Sequence, residues 1–139
     1  MNKLSTALLL VFLLTIGAAC KKSAPPAPTE KPEETLSISI TPNPGTSTAS
    51  ALSANYLYKL ILNSVPPKNG VKLDVTVTND LTSVIEYSQS SQTNTNTISS
   101  VDLQLTNLNP GILYSVKTEV SSLSTPGNKT SISFKVARK

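Results

Sequence analysis

The chain contains no histidine and no tryptophan, one cysteine, one methionine and 14% charged residues in a length of 139. Each absence excludes a class of chemistry. Without histidine the commonest general base and metal ligand is missing, and a single cysteine builds neither a thiolate metal cage nor an internal disulfide. No enzyme, metal or cofactor is expected. Asp74, Asp80, Glu86, Asp102 and Glu119 fall singly on separate segments, without the closely spaced oxygen ligands of a calcium loop or a carboxylate pair for hydrolysis. They read as solvated strand faces, with Asp74 and Glu119 as cross-strand partners of Lys72, Lys59 or Lys117. Aromatic residues make up only 4%, and twelve Lys and Arg against eight Asp and Glu give a net charge of +4. The cations are scattered, so neither a phosphate-tracking stripe nor a stacking platform forms, and nucleic acid is not an expected partner.

What is present begins with an address. Asn2 and Lys3 precede an apolar run from Ala7 to Ile16, broken only by Thr15 and followed by Gly17, Ala18 and Ala19. This is the pattern of a signal peptide over residues 1–19. The run is shorter than the roughly 20 apolar residues that span a bilayer as a helix. The one cysteine, Cys20, follows directly, and Ile16-Gly17-Ala18-Ala19-Cys20 resembles the lipobox of bacterial lipoproteins, with Gly17 where that family commonly has Leu. The resemblance implies cleavage after Ala19, a diacylglyceryl group on the Cys20 sulfur and acylation of the new amine. Several acyl chains on one residue anchor durably where one does so marginally. Lys21, rather than Asp, after Cys20 favours the outer membrane by resemblance to enteric sorting, and periplasmic and surface-exposed placements are both compatible with it.

Residues 20–35 hold Pro25, Pro26, Pro28 and Pro32 among Ala, Lys and Glu, a composition that favours extended backbone without a core. At about 3.1 Å per residue, such a tether reaches roughly 45 Å. From Leu36 to Lys139 the apolar residues recur at period two between clusters of Pro, Gly, Asn, Ser and Thr. Leu36 to Ile40, Tyr56 to Leu62, Val71 to Val77, Ile85 to Tyr87, Val101 to Leu105, Ile112 to Val120 and Ile132 to Val136 predict seven strands. Ala49, Leu52, Tyr56, Leu57, Leu60 and Ile61 also sit at helical spacing, so Ser47 to Leu62 reads as strand or partly helix. The tract Ser88 to Thr97 reads as a solvated loop. The expected class is an all-β, seven-stranded Greek-key sandwich of the immunoglobulin type.

Leu108-Asn109-Pro110-Gly111-Ile112-Leu113-Tyr114 resembles a motif of the fibronectin type III family. The resemblance implies a structural corner in which Leu108, the Pro110-Gly111 turn and Tyr114 lock the crossover between the sheets through the tyrosine hydroxyl. The Trp typical of the family's second strand is absent, which leaves its volume to Tyr58, Leu60 or Leu62. Alternating strand directions place the tether at the pole of residues 63–70, 88–97 and 121–130. The opposite pole carries residues 41–55, 79–82 and 108–111. The expected function is that of a lipid-anchored, non-catalytic fibronectin type III-like module, a monomer, binding protein or carbohydrate at the cell envelope. The alternative is a structural or assembly subunit of an outer-membrane or periplasmic complex.

Overall fold

Side chains alternate across a strand, so a period-two pattern gives each strand one face for the core and one for water. The computed structural model describes residues 31–93 and 97–139. The predicted signal peptide, Cys20 and the tether as far as residue 30 lie outside the described residues, as do residues 94–96 of the Ser, Thr and Asn tract. Within the unit Pro32–Lys139, eight strands follow one another: β1 (Ile38–Thr41), β2 (Thr48–Ala51), β3 (Tyr56–Leu62), β4 (Val71–Asn79), β5 (Ile85–Thr93), β6 (Ser100–Leu105), β7 (Leu113–Ser122) and β8 (Lys129–Arg138). They form a three-stranded sheet in the order β1-β3-β6 and a five-stranded sheet in the order β2-β8-β7-β4-β5. Neighbours pair antiparallel except β2 and β8, which are parallel. The two sheets enclose one core as an all-β sandwich-like arrangement.

The eight strands correct the expected seven. The additional strand is β2, whose Thr-Ala-Ser-Ala sequence has side chains too small to give a clear apolar alternation. Its alanines nevertheless turn inward, and Ala49 pairs with Val136 of β8. The helical spacing across residues 47–62 is not realised, because residues 48–51 and 56–62 are strands of different sheets. β5 is also longer than expected. It runs to Thr93 along β4, with Val71 opposite Thr93, so much of the tract read as a loop is strand. Its Ser, Gln and Thr residues are polar on both faces and carry no alternation; the ladder with β4 makes the strand.

The core follows the pattern. From β4 come Val71, Leu73, Val75 and Val77; from β7, Tyr114, Val116, Thr118 and Val120; from β8, Phe134 and Val136. Facing them are Ile40 of β1, Tyr58 and Leu60 of β3, and Leu103 and Leu105 of β6. Tyr58 of β3 is buried in the core, its ring edge-on to Phe134 at 5.2 Å between centroids. On the solvated faces Lys72 pairs with Asp74 and Lys117 with Glu119 along their own strands, Lys129 reaches Glu119 across strands, and Lys59 pairs with Asp102. Exposed pairs of this kind contribute little, about 0–1 kcal/mol each.

One polar contact joins the sheets through the core. The Tyr58 hydroxyl and Thr118 Oγ1 share a hydrogen bond of 2.8 Å, both residues being buried. Burial pushes the Tyr58 hydroxyl pKa up, against the opposing effect of the Thr118 bond. A buried hydroxyl that loses its partner costs about 1–3 kcal/mol, whereas removing both partners costs far less. Thr118→Val should therefore lower the stability measured by urea unfolding by about 1–3 kcal/mol. Adding Tyr58→Phe should recover part of that loss, and strictly additive costs in the double-mutant cycle would exclude the coupling.

Candidate binding surface at one pole

The two ends of the sandwich are built differently, and the difference starts with the chain entering it. Residues 32–36 are clasped to the β7–β8 loop. Leu36 N donates to Asn128 Oδ1 at 3.0 Å, and Asn128 Nδ2 donates to Glu33 Oε2 at 3.1 Å and to Glu34 O at 2.8 Å. Ser122 Oγ donates to Glu33 Oε1 at 2.9 Å while accepting from the amides of Ser124 and Thr125. Glu34 Oε2 accepts from Val65 N of the β3–β4 loop at 3.1 Å. One asparagine and one serine thus satisfy both the entering segment and the loop that holds it.

The opposite pole is apolar. It gathers the β4–β5 turn, the β6–β7 connection, the β2–β3 turn and the end of β8. Asp80 N donates to Leu113 O, Gly111 N to Arg138 O, Lys139 N to Ala51 O and Leu108 N to Ala54 O. Leu81 is 93% exposed, Leu52 90%, Ile85 61% and Val84 56%. Between the turns lies a hollow of about 380 Å³ lined by Asn79, Asp80, Leu81, Gly111, Ile112 and Leu113. Burying a Leu, Ile or Val side chain contributes about 1.5–3 kcal/mol; Leu81, Val84 and Ile85 lie together at the β4–β5 turn, while Leu52 lies beyond β2, with β8 and β7 between.

The β4–β5 turn that presents Leu81 is firmly held. Asn79 Oδ1 accepts from the amides of Leu81 and Thr82, its carbonyl accepts from Ser83 N, its own N–H donates to Val84 O, and its Nδ2 donates to Glu86 Oε1. Ser83 takes the left-handed conformation, φ +59°, that closes the turn. None of these bonds involves an apolar side chain. At the rim, Asp80 bonds Lys135 at 2.8 Å and Ser115 at 2.6 Å. The Lys135 bond first, then the Ser115 bond and the Lys135 charge, hold its carboxyl below the usual range.

The sequence-derived site residues divide between core and surface. Leu108 and Tyr114 are buried, Pro110 and Gly111 are exposed at the apolar pole, and Gly111 takes φ +74°. The Tyr114 hydroxyl accepts from Asn109 N at 3.0 Å, tying the start of β7 back to the turn before it. Cys20, the lipidation residue, lies outside the described residues. The sequence assigns no binding role to Leu52, Leu81 or Val84, although Leu52 and Leu81 fall in the segments expected at this pole. Their signal is nonetheless present, as large apolar residues inside otherwise polar turns such as Asn79-Asp80-Leu81-Thr82-Ser83. Among the described residues, no three His, Cys, Asp or Glu side chains converge as a cation site.

Two measurements check this geometry. Tyr114→Phe removes one buried hydrogen bond and should lower stability by about 0.5–1.5 kcal/mol in urea unfolding; an unchanged midpoint would remove the hydroxyl from the architecture. The second concerns pH. Burial pushes the Glu33 carboxyl up, but the bonds from Asn128 and Ser122, aided by Thr125 and Ser124, outweigh it and leave the group below its ordinary 4.5. A carboxyl lowered in the folded state stabilises that state above its unfolded pKa, and the contribution is lost as pH falls through the folded value. Acidification below the ordinary carboxylate range should therefore free residues 32–36 before the sandwich unfolds, seen as a loss of hydrogen-exchange protection at the Leu36 amide relative to its intrinsic rate at each pH. Glu33→Gln should remove that pH step.

No family model matches the chain, and no curated protein matches it significantly in sequence.

Proposed function

We propose that the chain is a bacterial envelope lipoprotein, anchored by lipid on Cys20, whose non-catalytic domain is a fibronectin type III-like module making its contacts at the apolar pole. Setting β2 aside, the strands divide as β1, β3 and β6 on one sheet and β4, β5, β7 and β8 on the other. This three-plus-four Greek-key division resembles that of the fibronectin type III family. The bond from Asn109 N to the Tyr114 hydroxyl corresponds to the tyrosine corner that the family resemblance implies.

The observation that carries the functional reading is the polarity of the domain. Residues 32–36 are clasped at one pole by Asn128 and Ser122, and the exposed Leu81, Val84 and Ile85 of the β4–β5 turn, with Leu52 on the far side of the sheet, lie at the other. A domain built this way carries these side chains at the end remote from the point where its tether enters. Protein is favoured over carbohydrate as the occupant. The hollow is lined by Leu81, Ile112, Leu113 and Gly111 with Asn79 and Asp80, and has no aromatic ring for a sugar face to stack on.

The alternative role, as a structural or assembly subunit, is favoured by a separate feature, the unguarded edge of β5.

The anchor is tested by metabolic labelling with a radioactive fatty acid: the native chain should be labelled and membrane-bound, and Cys20→Ala should be unlabelled and soluble. Labelling of the Cys20→Ala chain would overturn the assignment. Photo-cross-linking from position 81 on intact cells should yield an adduct that position 126 does not. Adducts from position 126 alone would overturn the use of the apolar pole.

A further inference from the structure

Every open sheet edge offers unpaired N–H and C=O groups to any extended chain, and proteins guard such edges with short strands, proline or charge. The sandwich has four. β1 has four residues and is followed at once by Pro42 and Pro44. β2 also has four residues. β6 has six, with Asp102 near its middle in an ion pair with Lys59. β5 has nine, and from Tyr87 to Thr93 it contains no charge and no proline. No described strand lies on its far side. Three edges are guarded and the longest is not.

The backbone groups on that edge can be assigned. Val71 N and Val71 O both bond to Thr93 Oγ1, so the Val71 backbone faces β5, while Gly70 O accepts from Leu123 N on the β7 side. Alternation along an antiparallel ladder then turns Leu73, Val75 and Val77 toward β5, opposite Ser91, Gln89 and Tyr87. Ser88, Ser90 and Gln92 consequently point their N–H and C=O groups outward. The one irregularity of the ladder falls between Val77 and Thr78, opposite Glu86, outside this stretch.

We propose that β5 pairs antiparallel with β5 of a second copy of this chain, about a two-fold axis through Ser90 perpendicular to the sheet. That register uses all of residues 87–93. Ser90 lies opposite Ser90 of the second copy and Ser88 opposite Gln92, while on the other face Gln89 lies opposite Ser91 and Tyr87 opposite Thr93. Every pair is neutral, small or hydroxyl-bearing, so no like charges meet across the junction. The edge gains about six backbone hydrogen bonds, and two five-stranded sheets become one. An isologous contact of this type closes on itself and does not propagate.

The length of chain outside the described residues fits this arrangement. Antiparallel pairing puts the two clasped poles at opposite ends of the joined sheet, about 33 Å apart for a ten-residue strand. Eleven residues, 21–31, separate Cys20 from the clasp; a proline-rich segment extended at about 3.1 Å per residue reaches roughly 34 Å, about the separation of the poles, which lets both chains of a pair reach one membrane. The proposed dimer differs from the monomer expected from a single small domain. It does not depend on contacts at the apolar pole, so the cross-linking from position 81 decides a different question.

The test uses the full chain in membranes and in mild detergent, with the native chain and its Cys20 as control. Under a mild oxidant, Ser90→Cys should form a disulfide-linked dimer, the opposed Cα atoms lying within disulfide range. Ser88→Cys and Gln92→Cys should cross-link with each other when co-expressed, at least tenfold more than either does alone. Ser133→Cys on the outer face of β8 should not cross-link. Ser90→Lys should leave the domain folded, with an unchanged circular dichroism spectrum, and make the detergent-solubilised dimer monomeric. Equal yields at positions 90 and 133, dimer surviving Ser90→Lys, or capture of a different protein at position 90 would each overturn the proposal.

Discussion

The register of β7 is the constraint on which the rest of the structure depends. Its alternate residues Tyr114, Val116, Thr118, Val120 and Ser122 are buried, while Lys117 and Glu119 between them face water. A slip of one residue would exchange the two sets and drive an ammonium and a carboxylate into a core that offers no partner for either. The same register places Tyr114 for its bond to Asn109 N, Thr118 for its bond to Tyr58, and Ser122 for its bond to Glu33. One strand, paired with β4 on one side and β8 on the other, therefore sets the core, the turn at the apolar pole and the clasp at the opposite one.

The asymmetry of the two poles follows from what each must satisfy. At the clasped pole the chain enters from outside the sandwich, and its amides and carboxylates need partners; Asn128 and Ser122 supply them through amide, hydroxyl and backbone groups. At the other pole the turns satisfy their own backbone groups, chiefly through Asn79. The exposed side chains there are free of any structural duty. A polar residue in place of Leu81 would leave every bond of the turn intact.

Much of this was legible in the sequence, and the limits have physical causes. Strands with large apolar residues at period two, such as Val71-Lys72-Leu73-Asp74-Val75, declare themselves because burial of one face drives their formation. β2 does not, since alanine and serine give almost no contrast between faces. The second half of β5 does not either: its residues are polar on both sides, and its strand conformation is imposed by β4. The tyrosine hydroxyl's bond is readable from the Leu108 to Tyr114 pattern, being local. The Glu33–Asn128 clasp joins residues 95 apart, and no local pattern announces a contact over that separation. The apolar pole is intermediate, because its residues are visible individually but their gathering depends on the sheet order.

Energetics also decide how such a domain is able to bind. Two or three aliphatic side chains, each contributing about 1.5–3 kcal/mol when covered, offset the several kcal/mol of lost rigid-body freedom without a large surplus. A single apolar pole of this kind supports weak contacts, the more so without the aromatic or arginine anchors that dominate tight interfaces. On the proposed reading, anchorage changes that balance. A lipid holds many copies in one plane, and pairing through β5 joins their sheets two by two, so that successive contacts with a repetitive partner become nearly intramolecular. The gain depends on geometry as well as on number. Antiparallel pairing presents the apolar poles at opposite ends of the dimer, and a partner engaging both must span the length of the joined sheet or meet each from a different neighbour. The features that look marginal singly, a modest apolar pole and a neutral edge, therefore have their effect as an array. This follows from a domain with a small stock of charge and rings.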